Sequence, residues 1–266
     1  MTDGLLENRV AVVTGSSSGI GRAMALRLAA SGCDVIVHAA TSNAEAQTVS
    51  DEIGNLGRES TVICQDFARH EQLEDFVERC WQWRGSVQIW INNAGIDVLT
   101  GDAATWDFRT KLDAVLQVDV TSTILLSRLV GRRMTTHDGS RPRPTIINIG
   151  WDQVAQGMAG DSGEMFAASK GAVMAFSKSL AQSLAPNVRV NAIAPGWIKT
   201  EWGQSASPSW QDRACHESLS VRWGIPEDVA ALAAFLTSDE ADFINGQIIA
   251  VNGGFRFGDQ PGHKET

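Results

Sequence analysis

Seven short apolar runs rich in β-branched residues, separated by longer stretches of helical spacing, constrain this chain more than any other feature. The runs are "RVAVVTG" (9–15), "CDVIVHA" (33–39), "STVICQD" (60–66), "VQIWINNAG" (87–95), "TIINIG" (145–150), "VRVNAIAPG" (188–196) and "GQIIAVNGG" (246–254). Strands that alternate with helices argue for a parallel sheet joined by crossover helices. Helical periodicity spans 20–31, 43–56, 71–84, 105–133, 163–185 and 226–237. Pro226, followed by Glu227 and Asp228, is a helix start: proline fits the first turn and the acids favour its positive end. No linker or repeat divides the chain. The expectation is one α/β domain over 1–266, a doubly wound sheet of about seven parallel strands with helices on both faces.

Two stretches depart from this pattern. "THDGSRPRP" (136–144) carries turn residues and predicts an exposed connection. Residues 197–223 show weak periodicity, carry Trp197, Trp202, Trp210 and Trp223, and predict a long loop that either covers a binding site as a lid or packs an interface or the core.

At 266 residues, 43% of them hydrophobic, the chain can bury a core. A net charge of -9 argues against nucleic acid or an anionic membrane as partner and leaves a small molecule. Cys33, Cys64, Cys80 and Cys215 lack metal or redox spacing and predict buried thiols in a reducing compartment. No charged segment followed by an apolar one opens the chain, and no apolar run reaches about 18 residues, so a cytoplasmic location is expected. No metal site is expected.

"VVTGSSSGIG" (12–21) sets Gly15, Gly19 and Gly21 between a strand and a helix. Gly15 permits a tight turn, Gly19 a close approach of backbone to a pyrophosphate, and Gly21 close helix packing, with the helix amides facing the phosphates. With "NNAG" (92–95), "ASK" ending at Lys170, "APG" (194–196), "RWGIPEDVA" (222–230) and "INGQIIAVNGG" (244–254), the chain resembles the short-chain dehydrogenase/reductase family over roughly 7–255. The resemblance implies a Rossmann-like fold, with a cofactor half near 1–150 and a reaction half near 151–266. It also implies a homotetramer built through the long helices and the last strand.

By the same resemblance, Thr14 and the "NNAG" segment brace the strands under a nicotinamide, and Asp66 bonds the adenine. Asn93, Ala94 and Gly95 line the ribose, Lys170 bonds the nicotinamide ribose, and Pro195, Gly196, Ile198 and Thr200 lie near the carboxamide. Ser17, Gly19, Ile20 and Gly21 form the phosphate loop. No acid stands in "HAATSN" (38–43), where relatives preferring NAD place one, and Ser17, Arg22, Thr41 and Ser42 are candidate donors to a 2'-phosphate. NADP(H) is favoured over NAD(H), although the basic residues often found near Ala40 and Ser18 are absent.

The family's serine, tyrosine and asparagine are replaced here. The tyrosine position is Phe166, and the chain holds no tyrosine at all. Asp119 stands at the asparagine position. The serine position is Trp151 counted from Asn148, or Gln153 counted back from Phe166. Phe166 and Lys170 lie four apart on one helix face. Asp152, just past a strand end, is the candidate acid or cation anchor. Asp161 and Glu164 suit helix capping and first-turn charge. Asp119, together with Asp152, is a candidate to stabilise a cationic substrate; the alternative is that it simply bonds a backbone group or pairs with Lys170.

These residues predict an NADPH-dependent reductase of a C=N or activated C=O group. The rivals are a silent dinucleotide-binding sensor or scaffold, and a non-redox isomerase or lyase on the same scaffold.

Overall fold

In the computed structural model, which describes residues 4–136 and 142–256 apart from the Trp202 side chain, the apolar runs form one sheet. Residues 137–141 of the expected connection at 136–144 lie outside the described residues. The strands are β1 (Val10–Val13), β2 (Asp34–Ala39), β3 (Ser60–Cys64), β4 (Ile89–Asn92), β5 (Thr145–Ile149), β6 (Arg189–Pro195) and β7 (Ile248–Val251). Each lies within its predicted run. All neighbours pair parallel, in the order β3-β2-β1-β4-β5-β6-β7.

The helices are α1 (Gly19–Ala30), α2 (Asn43–Asn55), α3 (Leu73–Arg84), α4 (Phe108–Met134), α5 (Asp161–Leu184), α6 (Glu201–Ser205), α7 (Pro208–Glu217) and α8 (Pro226–Thr237). Side chains alternate across each strand, so one strand feeds two cores. Ala11, Val13, Val35, Val37, Ile89 and Ile91 pack under α1, α2 and α8. Val10, Val12, Ile36, Trp90 and Ile146 pack under α3, α4 and α5. Trp90, wholly buried, meets Phe76 edge to face at 5.9 Å.

Two expectations need correction. The stretch 197–223 contains helices α6 and α7, the second opened by Pro208 in its first turn. Short helices with irregularly spaced tryptophans produce little periodicity, which hides them from pattern reading. Helix α4 is long and apolar enough to cross a membrane, with a mean hydropathy of 1.3 in its most apolar window. Half of that window is buried inside the protein, as in a core helix.

Cys33 and Cys80 are packed in the two cores, where burial pushes the Cys33 thiol up to about 12 and raises the Cys80 thiol as well. Cys64 and Cys215 are partly exposed, so the expectation of four buried thiols holds for two.

Candidate functional site

The strand order reverses between β1 and β4, so the loops that follow them diverge and open a crevice at the strands' carboxyl ends. Thr14 ties the two together: its Oγ1 accepts from the Asn93 amide at 2.9 Å and the Ala94 amide at 3.0 Å. Asn93 Nδ2 donates back to the carbonyls of Thr14 and Gly15, both at 3.0 Å. Gly15 takes φ +62°, and a Cβ on Gly21 would stand 2.1 Å from the Gly15 oxygen. Only glycine permits that turn and that approach.

At the start of α1, Ser18 makes no side-chain cap and the first turn holds no acid. Its free amides and positive end are left to an anion. The cleft above them has a volume of about 1040 Å³ and is lined by Gly15, Ser17, Gly19, Ile20, Gly21, Thr41, Ser42, Asp66, Asn93, Ala94, Gly95 and Thr200. Each of these was singled out from the sequence, and Thr14 is buried beneath them. A cradle that a Cβ would fill, with unclaimed amides at its base, fits a dinucleotide.

Arg22 is turned away, its Nη2 paired with Glu52 Oε2 at 2.6 Å, and it does not line the cleft. It is withdrawn as a donor to a 2'-phosphate, leaving Ser17, Thr41 and Ser42. Asp66 uses Oδ1 to accept from the Ala68 amide at 2.9 Å.

Sequence reasoning passed over His38, which lines the same cleft. Its ring is stacked on Phe67 with centroids 4.1 Å apart, and only 1% of the residue is exposed. The signal was a lone polar residue near the end of an apolar strand, beside the glycine loop. Burial lowers its pKa to about 4.

A second cavity of about 290 Å³ adjoins the first, sharing Ile20, Leu99, Phe166 and Thr200 with it. Lys170, Pro195, Gly196 and Ile198 line it, as do Trp151, Trp197, Trp210 and Trp223. Trp151 meets Phe166 edge to face at 6.3 Å. Gln153, the other candidate for the serine position, is buried and directs Nε2 to Glu217 Oε2 at 3.4 Å. Trp151 therefore faces the cavity and Gln153 does not.

Asp119 lies in a π-helical turn (Leu116–Thr121) inside α4, a distortion frequent at functional sites. Its two oxygens take the two structural roles anticipated for it, and it lines neither cavity, so it does not face a substrate directly. Oδ1 accepts from the Ile96 amide at 2.9 Å, and Oδ2 pairs with Lys170 Nζ at 2.9 Å. Asp119 is 3% exposed, so the pair is largely desolvated.

Asp152 lines neither cavity. Its Oδ2 accepts from Asn252 Nδ2 at 3.1 Å, beneath Gly196, whose Cβ would lie 2.9 Å from that oxygen. Burial is the main force raising its pKa, to about 6. The strand-end position suggested a group facing ligand, but the short helical turn at Asp152–Val154 carries the carboxylate behind the wall. Asp161 and Glu164 lie exposed in the first turn of α5, and the cap position is Gly160, so they supply first-turn charge without capping.

Glu217, which sequence reasoning also missed, fastens the tryptophan wall of the smaller cavity. Oε2 accepts from Trp197 Nε1 at 2.7 Å, Oε1 accepts from Arg213 Nε at 2.6 Å, and the Arg213 guanidinium lies over Trp197 and Trp210. Its partners are remote in sequence or one helical turn away, and no local pattern joins them.

Topology, glycine loop and cleft together define a nucleotide-binding α/β protein of the Rossmann kind. Residues 15–256 match the family model described as enoyl-(acyl carrier protein) reductase. The 3-oxoacyl-(acyl-carrier-protein) reductase FabG of Aquifex aeolicus is 35% identical over 254 residues, covering 94% of this chain and 98% of the relative. Its Escherichia coli counterpart is 36% identical over 251 residues, covering 93% and 97%. Among solved structures, a 7α-hydroxysteroid dehydrogenase complexed with NADH and 7-oxo glycochenodeoxycholic acid aligns with a TM-score of 0.85 at 29% identity, covering 96% and 97%. A short-chain dehydrogenase of Burkholderia cenocepacia in complex with NADP aligns with a TM-score of 0.83 at 33% identity, covering 94% and 98%. The chain belongs to the short-chain dehydrogenase/reductase family of oxidoreductases.

Proposed function

We propose that this protein is an NADP(H)-dependent reductase that delivers hydride to a small acceptor already activated as a cationic C=N group. The observation that carries this reading is the lining of the smaller cavity: aromatic walls, Lys170 as its one charged side chain among the described residues, and no carboxyl or phenol. Ketone reduction calls for a proton donor at the oxygen, and such assistance is worth about 10²- to 10⁴-fold in rate. Phe166 has no exchangeable proton. NADPH, when bound, supplies hydride to the iminium carbon, whose π electrons pass to nitrogen to leave a neutral amine without any proton transfer.

The chain's own residues suit a cationic acceptor. Asp119 neutralises Lys170 through the 2.9 Å ion pair, so the ammonium repels an incoming cation less. Indole and phenyl rings attract cations through their faces, by about 0.5–2 kcal/mol. Lys170, which lines the smaller cavity beside the cofactor cleft, is assigned to the ribose hydroxyls through its remaining donors. Asp152 acts from behind Gly196 by its charge rather than as a proton donor. For the cofactor, support for NADP(H) comes from Ala39, Ala40, Thr41 and Ser42, which line the β2 end of the cleft without a carboxylate.

The test is stopped-flow absorbance of NADPH with cyclic iminium salts, pterins and ketones. Iminium-dependent oxidation at least 100-fold faster than ketone-dependent oxidation is expected. Phe166→Tyr, which restores a phenol four residues before Lys170, is expected to raise ketone turnover selectively. Equal rates for ketones and iminium salts in the wild type would reveal another proton donor and overturn the reading. Tight NADPH binding with no oxidation by any acceptor would leave a silent dinucleotide-binding protein.

A further inference from the structure

We propose that His38 is a positioning residue for the cofactor: it holds the glycine loop in the shape that presents its amides to the pyrophosphate. The inference rests on dinucleotide binding and is independent of which acceptor is reduced.

The geometry fixes both ring nitrogens. The Gly15 amide donates to Nδ1 at 2.9 Å, so Nδ1 is the unprotonated nitrogen, and Nε2 carries the proton to the Gln65 carbonyl at 2.9 Å. One neutral ring thus joins the loop after β1 to the segment after β3. The backbone of the same residue grips the next loop position. Ser16 N donates to the His38 carbonyl at 2.8 Å, and His38 N donates to Ser16 Oγ at 3.0 Å. Ser16 Oγ in turn donates to the Val13 carbonyl at 2.7 Å.

Residues 15 and 16 are therefore committed to the protein, and the amides further along the loop and at the start of α1 are left to a ligand. Phe67 stacked at 4.1 Å and Phe76 edge-on at 5.1 Å keep water from the ring. A half-buried amide that loses its acceptor must find another partner, so the loop would shift from the shape the ring imposes.

Two variants separate the clamp from simple packing. His38→Phe keeps the stack and removes both hydrogen bonds; His38→Asn places an oxygen close to the Nδ1 position and restores the acceptor alone. Amide hydrogen exchange is measured by NMR on the cofactor-free protein, and NADPH and ADP-ribose affinities by calorimetry. In His38→Phe the Gly15 amide is expected to exchange at least tenfold faster while Val35 and Val37 are unchanged, with both ligands bound about tenfold more weakly. His38→Asn is expected to recover most of each effect. Unchanged Gly15 exchange in His38→Phe would overturn the clamp, and so would equal losses in the two variants. Failure of the wild type to bind NADPH would instead strike the cofactor reading, with Gly15 exchange still deciding the clamp.

Discussion

Asp152 and His38 are buried titratable groups whose linkage to folding has opposite signs. Burial raises Asp152 from 3.8 to about 6, so between those values the folded state holds a proton that the unfolded state has released. Its contribution is present below pH 4 and lost as pH rises through 6. Burial lowers His38 from 6.5 to about 4, so its contribution is present above pH 6.5 and lost as pH falls through 4. At about 1.36 kcal/mol per unit, each is worth roughly 3 kcal/mol, and the two slopes nearly cancel between pH 4 and 6. Asp152→Asn removes only the first. Urea unfolding is expected to find the variant about 1 kcal/mol more stable than wild type at pH 4.5 and about 3 kcal/mol more stable at pH 8. Identical curves at both pH values would show that the Asp152 carboxylate carries no burial cost. Neither residue's environment was legible in the sequence: the position of Asp152 beyond a strand suggested access to ligand, and only the fold shows it turned beneath Gly196.

Elements differ in how openly the sequence declares them. The strands and the glycine loop were legible because their signals are local: a β-branched run, a φ that favours glycine, a helix start. The 197–223 segment was not, because α6 and α7 are short and Glu217, on α7, makes contacts that join Gln153, Trp197 and Arg213 across separate elements. The Lys170–Asp119 pair was legible as one of the roles open to Asp119, whereas the π-helical turn that presents the carboxylate has no sequence period and was not. Glu217→Ala tests how the tryptophan wall is held. It leaves Trp197 Nε1 and the Arg213 guanidinium without this carboxylate, a loss of about 1–3 kcal/mol. A lowered urea midpoint is expected, with KM for the acceptor raised about tenfold and NADPH affinity within twofold of wild type, because the residue does not line the cofactor cleft. An unchanged KM would mean that the tryptophan wall keeps its shape without Glu217.

At the scale of the whole molecule, apolar surface is left on two sides. Phe108, Leu116 and Leu125 on α4 are 37–39% exposed, although the other side of that helix packs in the core. Phe235 on α8 is 37% exposed, and Phe243, shortly before β7, is fully exposed. Two separate self-complementary patches on one chain generate a closed tetramer with three two-fold axes, whereas one patch would stop at a dimer. A net charge of -9 on each copy opposes association, and salt screens that repulsion within a Debye length of about 10 Å at 0.1 M. Light scattering is therefore expected to give four times the 28.6 kDa chain mass, with assembly tighter at 0.3 M salt than at 0.02 M. Leu116→Asp together with Leu125→Asp should reduce the particle to a dimer, since only the α4 contact is lost. A monomer in wild-type protein at all salt concentrations would defeat this assembly, and weakening by salt would mean that ion pairs rather than these apolar faces hold the copies together.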